Sequence, residues 1–253
     1  GTLTIQDVAF SSNFFSQMQA MAALQTCVQR GLQHILRSAW PSSCVKPASI
    51  EHKSTMFASD MLLERREQAS ACVHAHAIDM CPQAYEVHGL LSQEECARLI
   101  CFLESCNRFS PAGGIAARND MIIWLASQEM MQELWARCAG LTAMARLSQY
   151  TSGSGDAQKP IGLNAYLRCY RYRPGYTFLT HFDHARAKAV VSDGSQHFSW
   201  DRRFESRHSI LLYLNSSLDG SFAGGSTTLM PQGVEGLKVR VSPSTGGAVI
   251  FPH

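Results

Sequence analysis

His181-Phe182-Asp183 sets an imidazole and a carboxylate two positions apart, at the end of the apolar and aromatic segment 176–182. In an extended strand, side chains at i and i+2 share one face, so both groups can address a single metal ion. One imidazole and one carboxylate supply two of the three ligands of the facial triad that holds non-haem Fe(II) and leaves coordination positions open. The pair occurs by chance in many chains and gains meaning from its surroundings. His184 follows directly, but its side chain should leave the face shared by His181 and Asp183. Arg168, Arg171 and Arg173 place positive charge upstream. That charge can attract an anion, and it equally fits a solvated strand face. A second histidine pair, His74-x-His76 with Asp79 nearby, lies in a stretch with no clear element and no companion cluster. The plain reading is that it ligates nothing.

The elements that must position these groups change character along the chain. Residues 12–39 predict a helix, capped by Ser12 or Asn13, with Met18, Met21, Leu24, Val28, Leu32, Ile35 and Leu36 at helical spacing and Trp40-Pro41 ending it. Residues 41–60 read as a loop, and 60–72 as a short helix with a solvated Glu64-Arg65-Arg66-Glu67 run. Tyr85-Glu86-Val87 reads as a short strand. Ser92 with Glu95 three residues later is a capping box, opening a helix through Cys96, Leu99, Ile100, Phe102 and Leu103. Residues 108–121 read as a loop ending in Arg118-Asn119-Asp120, and 128–147 as a second helix whose Met and Trp stripe suits a core. After the Gly/Ser break at 151–156, short strands are expected at 163–172, 176–182, 209–215, 226–230, 238–241 and 248–251. Such strands, separated by Gly, Pro, Asn and Asp, argue for an antiparallel barrel or jelly roll. The expected class is α+β, with a helical N-terminal extension over 1–82 and the main domain over 83–253.

Bulk properties narrow the partners. The 253 residues are 45% hydrophobic and 17% charged, enough apolar material for a core, and the formal charge of +2 gives no general pull toward nucleic acid or acidic membrane. No apolar run reaches the length of an ordinary membrane-spanning helix. The nine cysteines are odd in number and contain no C-x-x-C pair. Cys96, Cys101 and Cys106 recur every five residues, turning them about 140° apart on a helix and off any common face. Reduced thiols in an intracellular, reducing compartment are the expectation, and no signal peptide is visible.

Taken in order, Leu167-Arg168-Cys169-Tyr170-Arg171-Tyr172, His181-x-Asp183, Leu211-Leu212-Tyr213-Leu214-Asn215, Phe222-Ala223-Gly224-Gly225-Ser226-Thr227 and the Gly246 to Phe251-Pro252 segment resemble the prolyl 4-hydroxylase-type branch of the Fe(II)/2-oxoglutarate-dependent dioxygenases. The resemblance covers about residues 160–253. It extends more loosely back to about 85, through the Leu91-Ser92-Gln93-Glu94-Glu95-Cys96 helix start and the Arg118-Asn119-Asp120 loop. It implies a double-stranded β-helix (jelly roll) with buttressing N-terminal helices. His181 and Asp183 match the first two iron ligands, Tyr172 a tyrosine reaching the 2-oxoglutarate carboxylate, and Thr227 a residue on the strand lining the cavity. It also implies Fe(II), 2-oxoglutarate, O2 and ascorbate as cofactors, with conversion of 2-oxoglutarate to succinate and CO2 coupled to hydroxylation of a carbon centre. A prolyl residue of a protein is one candidate substrate, beside other peptides and small molecules. From the residues alone, Tyr172 could equally be an amphipathic barrel tyrosine and Thr227 an ordinary strand former.

The chain departs from this pattern at the third ligand. Relatives carry a distal histidine and then a basic residue that pairs with the far carboxylate of 2-oxoglutarate, both after the Phe-Pro segment. The sequence ends at His253. The expectation is that both groups follow it in a longer parent chain, with His253 as the lesser candidate for third ligand. The rival reading from another class is a catalytically inactive jelly-roll binding module or fragment. A cupin-like site using another histidine without 2-oxoglutarate is a third. Residues 185–207, with Phe198, Trp200 and Phe204, sit where relatives place a substrate-covering loop and would equally suit an exposed connector.

Overall fold

The computed structural model describes residues 2–12, 55–58, 63, 73–112, 117–139, 141, 160–191, 198–220, 222–231 and 233–253. The chain divides into two units, Gly1–Ser12 with Ser54–His253, and Asn13–Lys53. The second unit, and with it nearly all of the helix expected over 12–39, lies outside the described residues; so does the helix expected over 60–72, apart from Leu63.

Along the first unit run β1 (Thr2–Ser12), β2 (Thr55–Ala58), β3 (His74–Ala77), β4 (Tyr85–His88), helix α1 (Gln93–Ser105), β5 (Ser110–Pro111), β6 (Ala117–Arg118), β7 (Asp120–Ala126), helix α2 (Gln128–Ala139), β8 (Pro160–Leu163), β9 (Tyr166–Tyr172), β10 (Thr177–Phe178), β11 (Ala187–Val191), β12 (Phe198–Tyr213), β13 (Thr227–Leu229), β14 (Val239–Val241) and β15 (Ala248–Pro252). Eleven strands join in one sheet with the path β2-β7-β9-β1-β12-β15-β4-β3; β5, β8 and β11 pair onto its sides. All of its pairings are antiparallel except β2 with β7. Two further pairs, β6 with β10 and β13 with β14, form small sheets. The described fold is thus a β-rich α+β arrangement with two helices. Among the described residues no helix is long and apolar enough to cross a membrane.

The period of two along the strands decides which residues meet the helices. Leu167 and Cys169 of β9, Ile210 and Leu212 of β12, and Ala248 and Ile250 of β15 are buried in one cluster with Cys96, Leu99 and Leu103 of α1 and Met130, Leu134 and Cys138 of α2. The alternate residues Leu211, Tyr213, Val249 and Phe251 pack on the other face with Leu229 of β13 and Val241 of β14. Covered on both faces, the end of β12 (Ile210–Tyr213) and β15 read as nearly continuous apolar runs. Leu99 is fully buried, and burial of such a side chain contributes about 1.5–3 kcal/mol.

The capping box forms as expected. Glu95 N–H donates to Ser92 Oγ at 3.1 Å, and Ser92 N–H donates to Glu95 Oε2 at 2.8 Å. The same Glu95 carboxylate takes a two-pronged bond from Arg137 of α2, at 2.9 and 2.7 Å, with both residues about 1% exposed. Arg137 also donates to the Leu90 carbonyl at 3.0 Å and to Glu133 at 3.0 Å. The start of α1 is thereby bolted to the last turn of α2 through the core.

Several expectations change. Three stretches within 1–82, the segment expected to be a helical extension, are strands of the main sheet: β1, β2 and β3. The alternation Thr2-Leu3-Thr4-Ile5 carries the strand period. The apolar run Met121–Ala126 is a strand rather than the edge of a loop, and α2 ends at Ala139 among the described residues. The 163–172 strand divides at Asn164–Ala165 into β8 and β9. Within 176–182 only Thr177–Phe178 is a strand, so His181 and Asp183 sit in irregular chain. Residues 185–207 are neither a plain loop nor a plain connector: β11 and the first half of β12 pair antiparallel across them.

Candidate active site

Although a shared strand does not align them, His181 and Asp183 converge. His181 Nε2 lies 3.5 Å from Asp183 Oδ1. Each group is fixed from behind. His181 Nδ1 is 2.8 Å from the Leu179 carbonyl, to which it donates, and Nε2 faces Asp183. Phe178 packs on the imidazole, with ring centroids 4.2 Å apart. Asp183 Oδ2 accepts a hydrogen bond from Ser209 Oγ of β12. Its other oxygen, Oδ1, points toward His181. The His181 side chain is 43% exposed and that of Asp183 7%, so the pair opens to solvent on the imidazole side.

Strand periodicity brings aromatic and cationic groups to the same region. Tyr170 of β9 contacts Phe178 at 5.8 Å between ring centroids, edge to face, and Tyr172 at 6.4 Å. Burial raises the Tyr170 and Tyr172 hydroxyls above their ordinary range, so both stay protonated and able to donate. Tyr213 OH donates to Thr227 Oγ1 at 2.7 Å, and burial raises the Tyr213 hydroxyl as well. Arg186 is held below its ordinary range, first by burial and then by the like charge of Arg168; Tyr166, Tyr170 and Asp183 act in the opposite direction. Two guanidiniums and one carboxylate therefore share this region.

Two more imidazoles lie where β12 meets the end of β15. His208 is lowered to about 4, first by burial and then by its interactions with His253 and Arg207. His253 is lowered to about 4, again chiefly by burial, with the Asp183 carboxylate working the other way. Both rings are neutral at pH 7. His253 Nε2 is 3.0 Å from Ser206 Oγ. His253 Nδ1 and His208 Nε2 are buried without a hydrogen-bond partner. A neutral ring with an unshared nitrogen lone pair is a competent metal ligand.

The structure thus brings together His181 and Asp183, and separately Tyr213 and Thr227. Sequence reasoning missed Ser209, Tyr213, Arg186 and His208 as site groups. The strand motif Leu-Leu-Tyr-Leu-Asn contained Tyr213, and the inward period of β12 could have pointed to Ser209. Arg171, half-buried, and Arg173, exposed, are both paired. Arg171 Nη2 and Arg173 Nε each lie 2.9 Å from Asp120 Oδ2, and Arg171 also pairs with Glu104 and stacks over Phe109 at 4.3 Å. This answers the Arg-Asn-Asp loop: its aspartate anchors Arg171 of β9 and Arg173 just after it. All six described cysteines are free thiols. Elsewhere, His74 and His76 lie on β3, and His88 of β4 joins them.

No family model, no curated protein and no solved structure matches the chain.

Proposed function

We propose that this chain is an Fe(II)- and 2-oxoglutarate-dependent dioxygenase of prolyl 4-hydroxylase type, built on a double-stranded β-helix and hydroxylating a carbon centre. The observation that carries the reading is the His181 and Asp183 pair, 3.5 Å apart, with the outer atom of each group tied back by Leu179 and Ser209. Two ligand atoms around one octahedral ion at about 2.1 Å stand about 3 Å apart, so a small side-chain adjustment brings this pair to a shared ion. The supporting hydrogen bonds are those expected behind metal-ligating His and Asp. His253 lies in the field of Asp183 with Nδ1 unpartnered, but among the described residues it does not close a three-ligand cluster with His181 and Asp183.

Arg168 and Arg186 supply the cationic surroundings that a dicarboxylate requires, and the protonated hydroxyl of Tyr172 supplies a donor, while that of Tyr213 is committed to Thr227. Thr227 orients Tyr213 in this scheme. Apolar packing by Leu211, Val249 and Phe251 keeps bulk water from the inner side. The small β13–β14 pair, facing the large sheet across that apolar cluster, supports the jelly-roll reading. When bound, iron with 2-oxoglutarate and O2 would supply the oxidising chemistry, with ascorbate keeping the metal ferrous. The residues named here bind, orient and exclude water.

The test is uncoupled turnover, which requires no knowledge of the substrate. Purified full-length protein with Fe(II), ascorbate and 2-oxoglutarate should release succinate, and His181→Ala and Asp183→Ala should abolish it. Anaerobic iron binding without succinate release would favour the inactive binding module. Absence of both overturns the proposal.

A further inference from the structure

We propose that His74, His76 and His88 form a second metal site, of the zinc type, that clips the edge strand β3 to β4. The argument rests on strand register. β3 and β4 pair antiparallel, with His74 opposite His88 and His76 opposite Glu86. Directly opposed residues share a face, as do residues two apart on one strand. All four side chains therefore project on one side of the two strands. Ala75, Tyr85 and Val87 project on the other, into the main core.

The geometry brings the rings together. His74 and His88 stack at 5.1 Å between centroids, while His76 stands 5.3 Å from His74 and 5.8 Å from His88. One nitrogen from each ring lies within 4.8 Å of the others. A tetrahedral Zn(II) with Zn–N bonds of about 2.0–2.1 Å requires nitrogens about 3.3 Å apart. His74 and His76 are exposed, so the rotation needed meets no packed neighbour shell. Glu86 Oε1, 3.7 Å from His88 Nε2, sets a negative charge beside the cluster, which offsets the charge of a cation. Three imidazoles leave a fourth tetrahedral position for water. An all-nitrogen set favours zinc, cobalt, nickel or copper over calcium or magnesium, which take oxygen ligands.

The site is separate from the candidate active site. β15 lies between β4 and β12, the strand whose Ser209 holds Asp183. Among the described strands, β3 is a sheet edge with β4 as its single neighbour. A metal bridging it to β4 would hold that edge down, which is a stabilising use of binding to the folded state.

The experiment is calorimetric titration of metal-free, tag-free chain with Zn(II). One equivalent should bind in the micromolar range or tighter. His88→Ala and the double variant His74→Ala/His76→Ala should each weaken it by at least about tenfold, because affinity depends on ligand count. His181→Ala and Asp183→Ala should leave this equivalent intact. Co(II) should show intense visible bands of a four-coordinate nitrogen site that vanish with the same variants. Circular dichroism of each variant checks that it folds. The inference is overturned if Zn(II) fails to bind, if the three histidine substitutions leave the binding unchanged, or if it is lost with His181→Ala instead. Loss of iron-dependent succinate release with Zn(II) binding retained would sink the dioxygenase proposal alone.

Discussion

Ser209→Ala tests the core of the proposed active site most directly. Ser209 is fully buried on β12 and donates its hydroxyl to Asp183 Oδ2. Removing one oxygen opens little space and leaves the strand pairing with Phe251 and Val8 intact. What is lost is a hydrogen bond to an ionised group, worth about 1.5–3 kcal/mol. If that bond orients the carboxylate for metal, the loss appears as about 10–100-fold weaker metal binding, the range found when such supporting partners are removed. The two scales agree, since a factor of ten corresponds to about 1.4 kcal/mol. The assay is anaerobic Fe(II) titration of the parent chain, Ser209→Ala and Asp183→Ala. Asp183→Ala should lose binding almost completely, and Ser209→Ala should fall between. Because Ser209 acts through Asp183, excess Fe(II) should restore succinate release in Ser209→Ala but not in Asp183→Ala. If Ser209→Ala binds iron within about twofold of the parent while Asp183→Ala does not bind at all, the hydroxyl does not position the carboxylate and the orientation argument fails.

Three further outcomes follow from the same coordinates. Arg137→Met strands the buried Glu95 carboxylate and should cost about 3–5 kcal/mol, read from the urea midpoint at constant slope; the double variant Glu95→Met/Arg137→Met should recover part of that loss, and a cost below about 1 kcal/mol for the single change would refute the coupling. Burial alone would raise the Asp120 carboxyl, but its hydrogen bonds from Arg171 and Arg173, and their charges, outweigh this and hold it below the ordinary range. Its contribution is therefore present above the unfolded value near about 4 and is lost as pH falls through the lower folded value. Asp120→Asn should flatten the fall in stability below about pH 4, and parallel pH profiles for variant and parent would count against it. Gly246 adopts φ +73 and its added Cβ would run into the Leu91 carbonyl, so Gly246→Ala should cost about 3 kcal/mol or more in thermal or urea unfolding; an unchanged midpoint would show that this backbone contact gives way.

Local signals were readable in the sequence and distant ones were not. The capping box at Ser92 and Glu95 is a four-residue pattern, and it formed with both bonds in place. The apolar runs at the end of β12 and in β15 were readable because each is covered on both faces. The partners of those features were hidden. Glu95 was visible as a cap, but its ion pair with Arg137 depends on how two helices pack. His181 and Asp183 stood out by spacing, yet the strand geometry that suggested their alignment is absent. Their convergence rests on Leu179 and Ser209. His74 and His76 were dismissed for lack of a companion because His88 reaches them only through the register of β3 on β4. The alternating start at Thr2-Leu3-Thr4-Ile5 was passed over because its partners lie far along the chain.

That last pairing has a consequence for how the molecule is made. β1 lies between β9 and β12, with Thr4 opposite both Tyr170 and Tyr213. It leaves the ribosome long before either neighbour. The centre of the sheet can close only after Tyr213 has emerged, and until then β1 presents open edges to the wrong strand. Folding should accordingly be slow, as expected where distant segments must pair. Synthesis at high concentration should favour association through those edges. A chaperone that holds β1 until β12 arrives, or a slower rate of translation, should raise the yield of soluble protein without altering its final stability.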